Sequence, residues 1–203
     1  MASQCHPEDP LLSAAKACVL AVGLRRTTLA DVARRAGVSR MTVYRQYGDL
    51  QSIVSALLTR ELLGLIESAR DEVAGLANAR ERLVEATVLV VTRLGRHPLF
   101  RKVLDLDPEL LLPLVVDRFG SSQRAAIALV ASQLEEGQAD GSVRLTDPVL
   151  AATVLQLTAQ SFVFSARVVE AEAADDRLGD ELRLLLDGYL QPVGAVSRPG
   201  HRR

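Results

Sequence analysis

Residues 27–47, TTLADVARRAGVSRMTVYRQY, decide how this chain is to be read. Thr28 suits a helix cap, with Asp31 three positions on as a variant of the capping box, and Leu29, Val32, Ala33 and Ala36 supply the apolar face of the helix it opens. Gly37 stops that helix early, and Ser39 at once caps the next, of which Val43 and Tyr47 are the inward pair and Gly48 the end. Ala33 is small enough for two helices to cross closely, Gly37 accepts the positive φ of a sharp turn, and Val38 is expected to plug the corner. Together these features predict a helix-turn-helix.

A helix fits the major groove of B-DNA, about 12 Å wide. The exposed face of the second helix of the pair offers Arg40, Met41, Thr42, Tyr44, Arg45 and Gln46. Arg40 or Arg45 suits a bidentate contact to guanine, Gln46 a pairing with adenine, and Thr42 or Met41 a thymine methyl. Backbone amides at the two helix starts, beside Thr28 and Ser39, suit phosphate, because unpaired N–H groups and the helix dipole point there.

On the N-terminal side, Pro10 suits a first helical position, and Leu11, Ala15, Val19 and Val22 recur at helical spacing until Gly23. Residues 1–9 are polar and expected to be disordered. On the C-terminal side, Asp49 caps a long helix whose apolar stripe runs through Leu50, Ile53, Leu57, Leu62 and Ile66 toward Gly75. Asn78 opens another, ending near Gly95 and Pro98, and a short helix covers Leu99 to Leu104. Asp107-Pro108 leads into residues 110–119; Ser121 or Ser122 opens a helix ending near Gly137; Asp147-Pro148 opens a long apolar helix reaching about Ala174; the last covers residues 178–190. Ser142 to Leu145 reads as a loop, and the tail as disordered. The fold class predicted is all-α, with residues 10–48 a DNA-binding domain, 49–192 a helical ligand-binding and dimerisation domain, and 193–203 a tail. Aromatics at 3% and the absence of Trp agree with aliphatic helix packing.

The formal charge of -1 conceals a split. Residues 1–60 carry eight Lys/Arg against four Asp/Glu, a net +4, and the remainder carries 16 against 21, a net -5. The basic module is the N-terminal one. Cys5 and Cys18 lack metal-ligand spacing and His6, His97 and His201 are scattered, so no metal or other cofactor is expected. The opening MASQCHPEDP has no secretory pattern, and no uncharged apolar run is expected to approach the 18 or so residues that span a bilayer. The location expected is the cytoplasm, with no membrane partner.

The block resembles the DNA-binding domain of the tetracycline-repressor (TetR-like) family: Thr28, Val32-Ala33, Ala36-Gly37-Val38-Ser39, Val43-Tyr44 and the aromatic Tyr47 stand in the family's order and spacing, within about residues 10–58. The resemblance implies an all-helical, two-domain homodimer, a transcriptional regulator whose first three helices bind operator DNA and whose remainder binds a small-molecule inducer and the partner subunit. It implies a repressor released from its operator by that inducer, with Thr42 and Tyr44 touching DNA. It departs from the family at the start of the fourth helix, where the family usually has a phosphate-contacting lysine and this chain has Leu50.

Within the second domain, Thr87, Val91, His97, Phe100, Phe119 and Gln160 are the candidate inducer contacts, polar or aromatic groups among aliphatic ones, and the aliphatic surroundings point to an apolar ligand. Ala152, Leu155, Ala159, Phe162, Leu182 and Leu186 on the last two helices are the candidate dimer contacts. Two other classes compete: a helical enzyme, unsupported by any paired-carboxylate, Cys-His, metal-ligand or Gly-rich phosphate signature, and a helical protein-interaction module, disfavoured by the charge split. A non-enzymatic regulator is the expectation.

Overall fold

The computed structural model describes residues 9–106, 120–172 and 177–192. The predicted helix over residues 110–119, Phe119 with it, and the tail from residue 193 lie outside them. Every regular element among the described residues is helical: α1 (Pro10–Val22), α2 (Leu29–Ala36), α3 (Arg40–Tyr47), α4 (Leu50–Val73), α5 (Ala79–Arg96), α6 (Pro98–Leu106), α7 (Ser121–Ala139), α8 (Pro148–Glu172) and α9 (Arg177–Leu190).

The chain forms two compact units. The first comprises residues 1–64 and 96–120, the second residues 65–95 and 121–203. This division differs from a cut after residue 48. The helix α6 joins the N-terminal unit because it packs on α1, where Leu106 Cδ1 lies 3.0 Å from the position a Cβ on Gly23 would take. The helix α4 gives residues 50–64 to the first unit and 65–73 to the second.

In the first unit, Leu12, Ala15, Val19, Val32, Val43, Ile53, Leu57, Leu99 and Val103 are buried. Asp9, expected in a disordered segment, is instead the N-cap of α1, its Oδ1 accepting from Leu11 N at 2.9 Å. The signal was an Asp directly before a first-turn proline. Glu61 of α4 collects Lys16 of α1 at 2.5 Å, Arg60 at 3.0 Å and His97 Nε2 at 3.4 Å.

In the second unit, α7 packs along α8, and α9 touches α8. Segment 140–147 ties helix ends together. Asp140 Oδ2 and Ser142 Oγ accept from the first two amides of α5, Ala79 N at 3.0 Å and Arg80 N at 3.2 Å. Arg144 donates from its backbone to the carbonyl of Leu190 and from Nε to that of Tyr189, 2.9 and 2.7 Å away, so it closes the C-terminus of α9. Gly137 does not end α7, which continues to Ala139. Its missing side chain makes room for Val143 instead: a Cβ there would meet Val143 Cγ2 at 2.4 Å.

Two sequence expectations about α8 and α9 are corrected. Residues Pro148–Ser165 do form an 18-residue window, of mean hydropathy 1.3, long and apolar enough to cross a membrane, because Gln, Thr and Ser interrupt it without adding charge. And Ala152, Leu155, Leu182 and Leu186, expected at a dimer interface, are buried inside the chain, with Ala159 and Phe162 half-buried. Each helix carries two apolar stripes, and the inner one closes the chain's own core. The outer stripe, left uncovered, is Val149, Leu150 and Leu157 on α8 and Leu184 and Leu185 on α9, each 49% exposed or more.

Candidate nucleic-acid interface

The helices α2 and α3 are built as the sequence dictates. Thr28 accepts from Asp31 N while the Asp31 carboxylate accepts from Thr28 N and Oγ1, a reciprocal capping box. These bonds hold the Asp31 carboxyl below the usual carboxylate range, and Arg34 pairs with it at 2.6 Å. Thr28 thus turns its hydroxyl toward a carboxylate at the start of α2. At the other end Gly37 is left-handed, its N–H reaching Arg34 O at 3.3 Å and that of Val38 reaching Ala33 O at 3.0 Å, the Schellman pair. Val38 therefore serves the corner with its backbone. Its side chain is 37% exposed and does not plug the turn, since the paired amides already fix the chain direction.

The cap of α3 is Ser39, whose Oγ lies 3.1 Å from Thr42 N and 2.9 Å from Thr42 Oγ1. Only Val43 of α3 is fully buried; Arg40, Met41, Tyr44, Arg45 and Gln46 are exposed and Thr42 is half-buried. Met41 at 64% and Tyr44 at 60% exposure are large groups that a monomer gains nothing by displaying. At about 100° per residue, Arg40, Tyr44, Met41 and Arg45 cover one continuous arc of roughly 140°, whose centre lies about 130° from buried Val43. That arc is a basic, amphipathic surface on a two-turn rod. Gln46 lies off it, its Nε2 3.1 Å from Asp9 Oδ2. Arg25, Arg26, Arg34 and Arg35 are also exposed around the same unit.

The candidate inducer contacts fall in both units. Thr87, Val91 and Gln160 belong to the second, His97 and Phe100 to the first. Thr87 Oγ1 donates to Leu83 O at 2.7 Å, Val91 is buried, and Gln160 Oε1 accepts from the buried Gln123 at 2.7 Å. His97 meets Phe100 edge-on at 5.5 Å. Among the described residues, no group of three or more His, Cys, Asp or Glu is placed to hold a metal ion.

The family described as bacterial regulatory proteins, tetR family, matches residues 11–57. An HTH-type transcriptional regulator of Mycobacterium tuberculosis is 39% identical over 180 residues, 89% of this chain and 92% of its own length. Among solved structures, the TetR family repressor AlkX from Dietzia, implicated in n-alkane biodegradation, aligns with a TM-score of 0.68 at 21% identity, over 93% of this chain and 97% of its own. The regulator FadR from Bacillus subtilis, in complex with stearoyl-CoA, aligns with a TM-score of 0.60 at 17% identity, over 90% and 98%. With an exposed, capped reading helix inside the matched segment and extended identity beyond it, the chain belongs to the TetR family of bacterial regulatory proteins and is a DNA-binding transcriptional regulator.

Proposed function

We propose that this regulator is a homodimeric repressor that leaves its operator when a small apolar molecule binds its second unit. The observation that carries the DNA half is the arc of Arg40, Met41, Tyr44 and Arg45 on α3, displayed to solvent at a cost that DNA would repay. Phosphate contacts would come from Thr42, Ser39 and the surrounding arginines, with Thr28 an alternative contact at the start of α2. The dimer half is supported by the uncovered stripe on α8 and α9. A two-fold pair would set two reading helices about one DNA turn, roughly 34 Å, apart, matching a palindromic site.

For the ligand, aliphatic helices α5, α7 and α8 favour an alkyl or acyl chain. Of two structural neighbours, AlkX is implicated in n-alkane biodegradation and FadR is in complex with stearoyl-CoA, which supports the same class. Such a ligand acts only by binding the DNA-free arrangement more tightly, because equal affinity shifts nothing. The helix α4 belongs to both units and is the covalent path for that bias. A regulator of this kind works in the cytoplasm, where its DNA lies.

The test is a gel shift on DNA flanking the protein's own gene. A retarded palindromic fragment, weakened steeply by salt, is expected. Arg45→Ala should weaken the shift about tenfold or more, as losing a base contact worth about 1–3 kcal/mol would, and long-chain acyl-CoA or free fatty acid should release the wild type. No sequence-selective complex at low salt would overturn the reading; a complex that ignores acyl ligands would overturn the ligand class alone.

A further inference from the structure

Asp9 caps α1, but it uses only one oxygen for that. Its Oδ1 accepts from Leu11 N, while Oδ2 accepts from Tyr47 Oη and from Gln46 Nε2, the latter at 3.1 Å. Asp9 and the adjacent pair Gln46 and Tyr47, nearly 40 positions on in sequence, thus meet where α1 begins and α3 ends. On the α3 wheel, Gln46 falls about 100° beyond Arg45, and its exposed side chain is directed to the start of α1 by its bond to Asp9. The Tyr47 hydroxyl is pushed up to about 12, by burial first and by Asp9 second, so it stays a donor at every working pH.

We infer that Asp9 is a positioning residue for the DNA-reading helix: its carboxylate locks the last turn of α3 through Tyr47 and Gln46, so Gln46 braces the helix and base reading falls to Arg40, Met41, Tyr44 and Arg45. This rests on the DNA-binding reading above. A helix of two turns held by the Ser39 cap and the single buried Val43 would rock at its far end, and the reading arc would move with it. The lock fixes that end to α1. A phenylalanine at position 47 would fill the same space and supply no donor, which makes the hydroxyl the informative atom.

The experiment uses the full-length protein and selection from a pool of random duplexes, comparing the base preferences of wild type, Gln46→Ala, Tyr47→Phe, Asp9→Asn and Arg45→Ala. Gln46→Ala and Tyr47→Phe are expected to weaken binding to the wild-type site about five- to tenfold, as losing a bond to a charged acceptor would, with the preference at every base unchanged. Their double variant should lose less than the product of the two, because both bonds serve one lock. Arg45→Ala should relax the preference at a base. Asp9→Asn keeps the size and capping ability of aspartate, so it tests the lock even if another variant folds poorly. The inference is overturned if Gln46→Ala relaxes a base preference, or if Tyr47→Phe and Asp9→Asn both bind as wild type does. A wild type that selects no sequence sinks the DNA-binding reading itself, a result distinct from either.

Discussion

At single residues, the structure turns on contacts that leave no slack. Gly137 sits inside α7, where alanine would ordinarily gain about 0.5–1 kcal/mol of helix stability. Here the new Cβ would stand 2.4 Å from Val143 Cγ2, and that valine is 3% exposed, with little room to retreat. Overpacking of this kind costs about 1–3 kcal/mol, so Gly137→Ala should lower the urea midpoint, and adding Val143→Ala should recover part of the loss. An unchanged midpoint in the single variant would refute the close approach. His97 makes a second prediction. Burial lowers its value from the ordinary 6.5, Glu61 pulling the other way, and its buried Nδ1 has no hydrogen-bond partner to receive a second proton. A histidine depressed on folding binds fewer protons folded than unfolded, so stability is complete above pH 6.5 and falls as the pH drops through 6.5 toward the folded value. Glu61 stays ionised through that window, because Lys16 and Arg60 outweigh the burial that would raise it. Urea midpoints measured at about pH 7.5 and about pH 5.5 should therefore converge in His97→Gln and differ in the wild type, by up to about 1.4 kcal/mol per unit of depression.

At the scale of elements, the helix ends decide what the helices can hold. The start of α5 is capped by its own Asn78, whose Oδ1 accepts from Glu81 N, and also by Asp140 and Ser142 of a distant segment, residues 140–147, which closes the end of α9 as well. Arg144 does most of this for α9: two bonds to its last carbonyls, and a guanidinium 4.4 Å over the Tyr189 ring. Arg144→Lys keeps the charge and loses the planar fork that both stacks and donates, so it should cost about 1–2 kcal/mol and speed amide exchange in the last turn of α9. Exchange as slow as in the wild type would show that the clamp is idle. That segment was legible only as a loop, because its work is done on residues about 60 and 45 positions away. The caps of α2, α3 and α4 were legible, because Thr28, Ser39 and Asp49 act within three residues, where spacing in sequence is spacing in space. The same distinction explains Asp9, whose partners 37 and 38 positions on gave no local signal, and the displaced boundary, since α6 meets α1 across most of the first unit's sequence.

For the whole molecule, the open question of assembly reduces to which apolar stripe is already used. The inner stripe of α8 and α9, with Ala152, Leu155, Leu182 and Leu186 at 5% exposure or less, is spent on the chain's own core. The outer stripe leaves Leu157 49% and Leu184 69% exposed, and two such patches related by a two-fold axis would cover each other. Leu157→Glu with Leu184→Glu removes four leucines from that dyad, worth about 1.5–3 kcal/mol each if fully buried there. The sum is comparable to the roughly 8 kcal/mol that separates a micromolar dimer from its monomers. Sedimentation at micromolar concentration should then show a folded monomer, and operator affinity should fall with it, since one reading helix cannot span two half-sites. Leu186→Glu gives the contrast: at 1% exposure it should unfold the second unit rather than split a dimer. A double variant that stays dimeric and still binds its operator would place the contact surface elsewhere, because no dimer held by the outer stripe could bury four carboxylates against one another and keep its affinity.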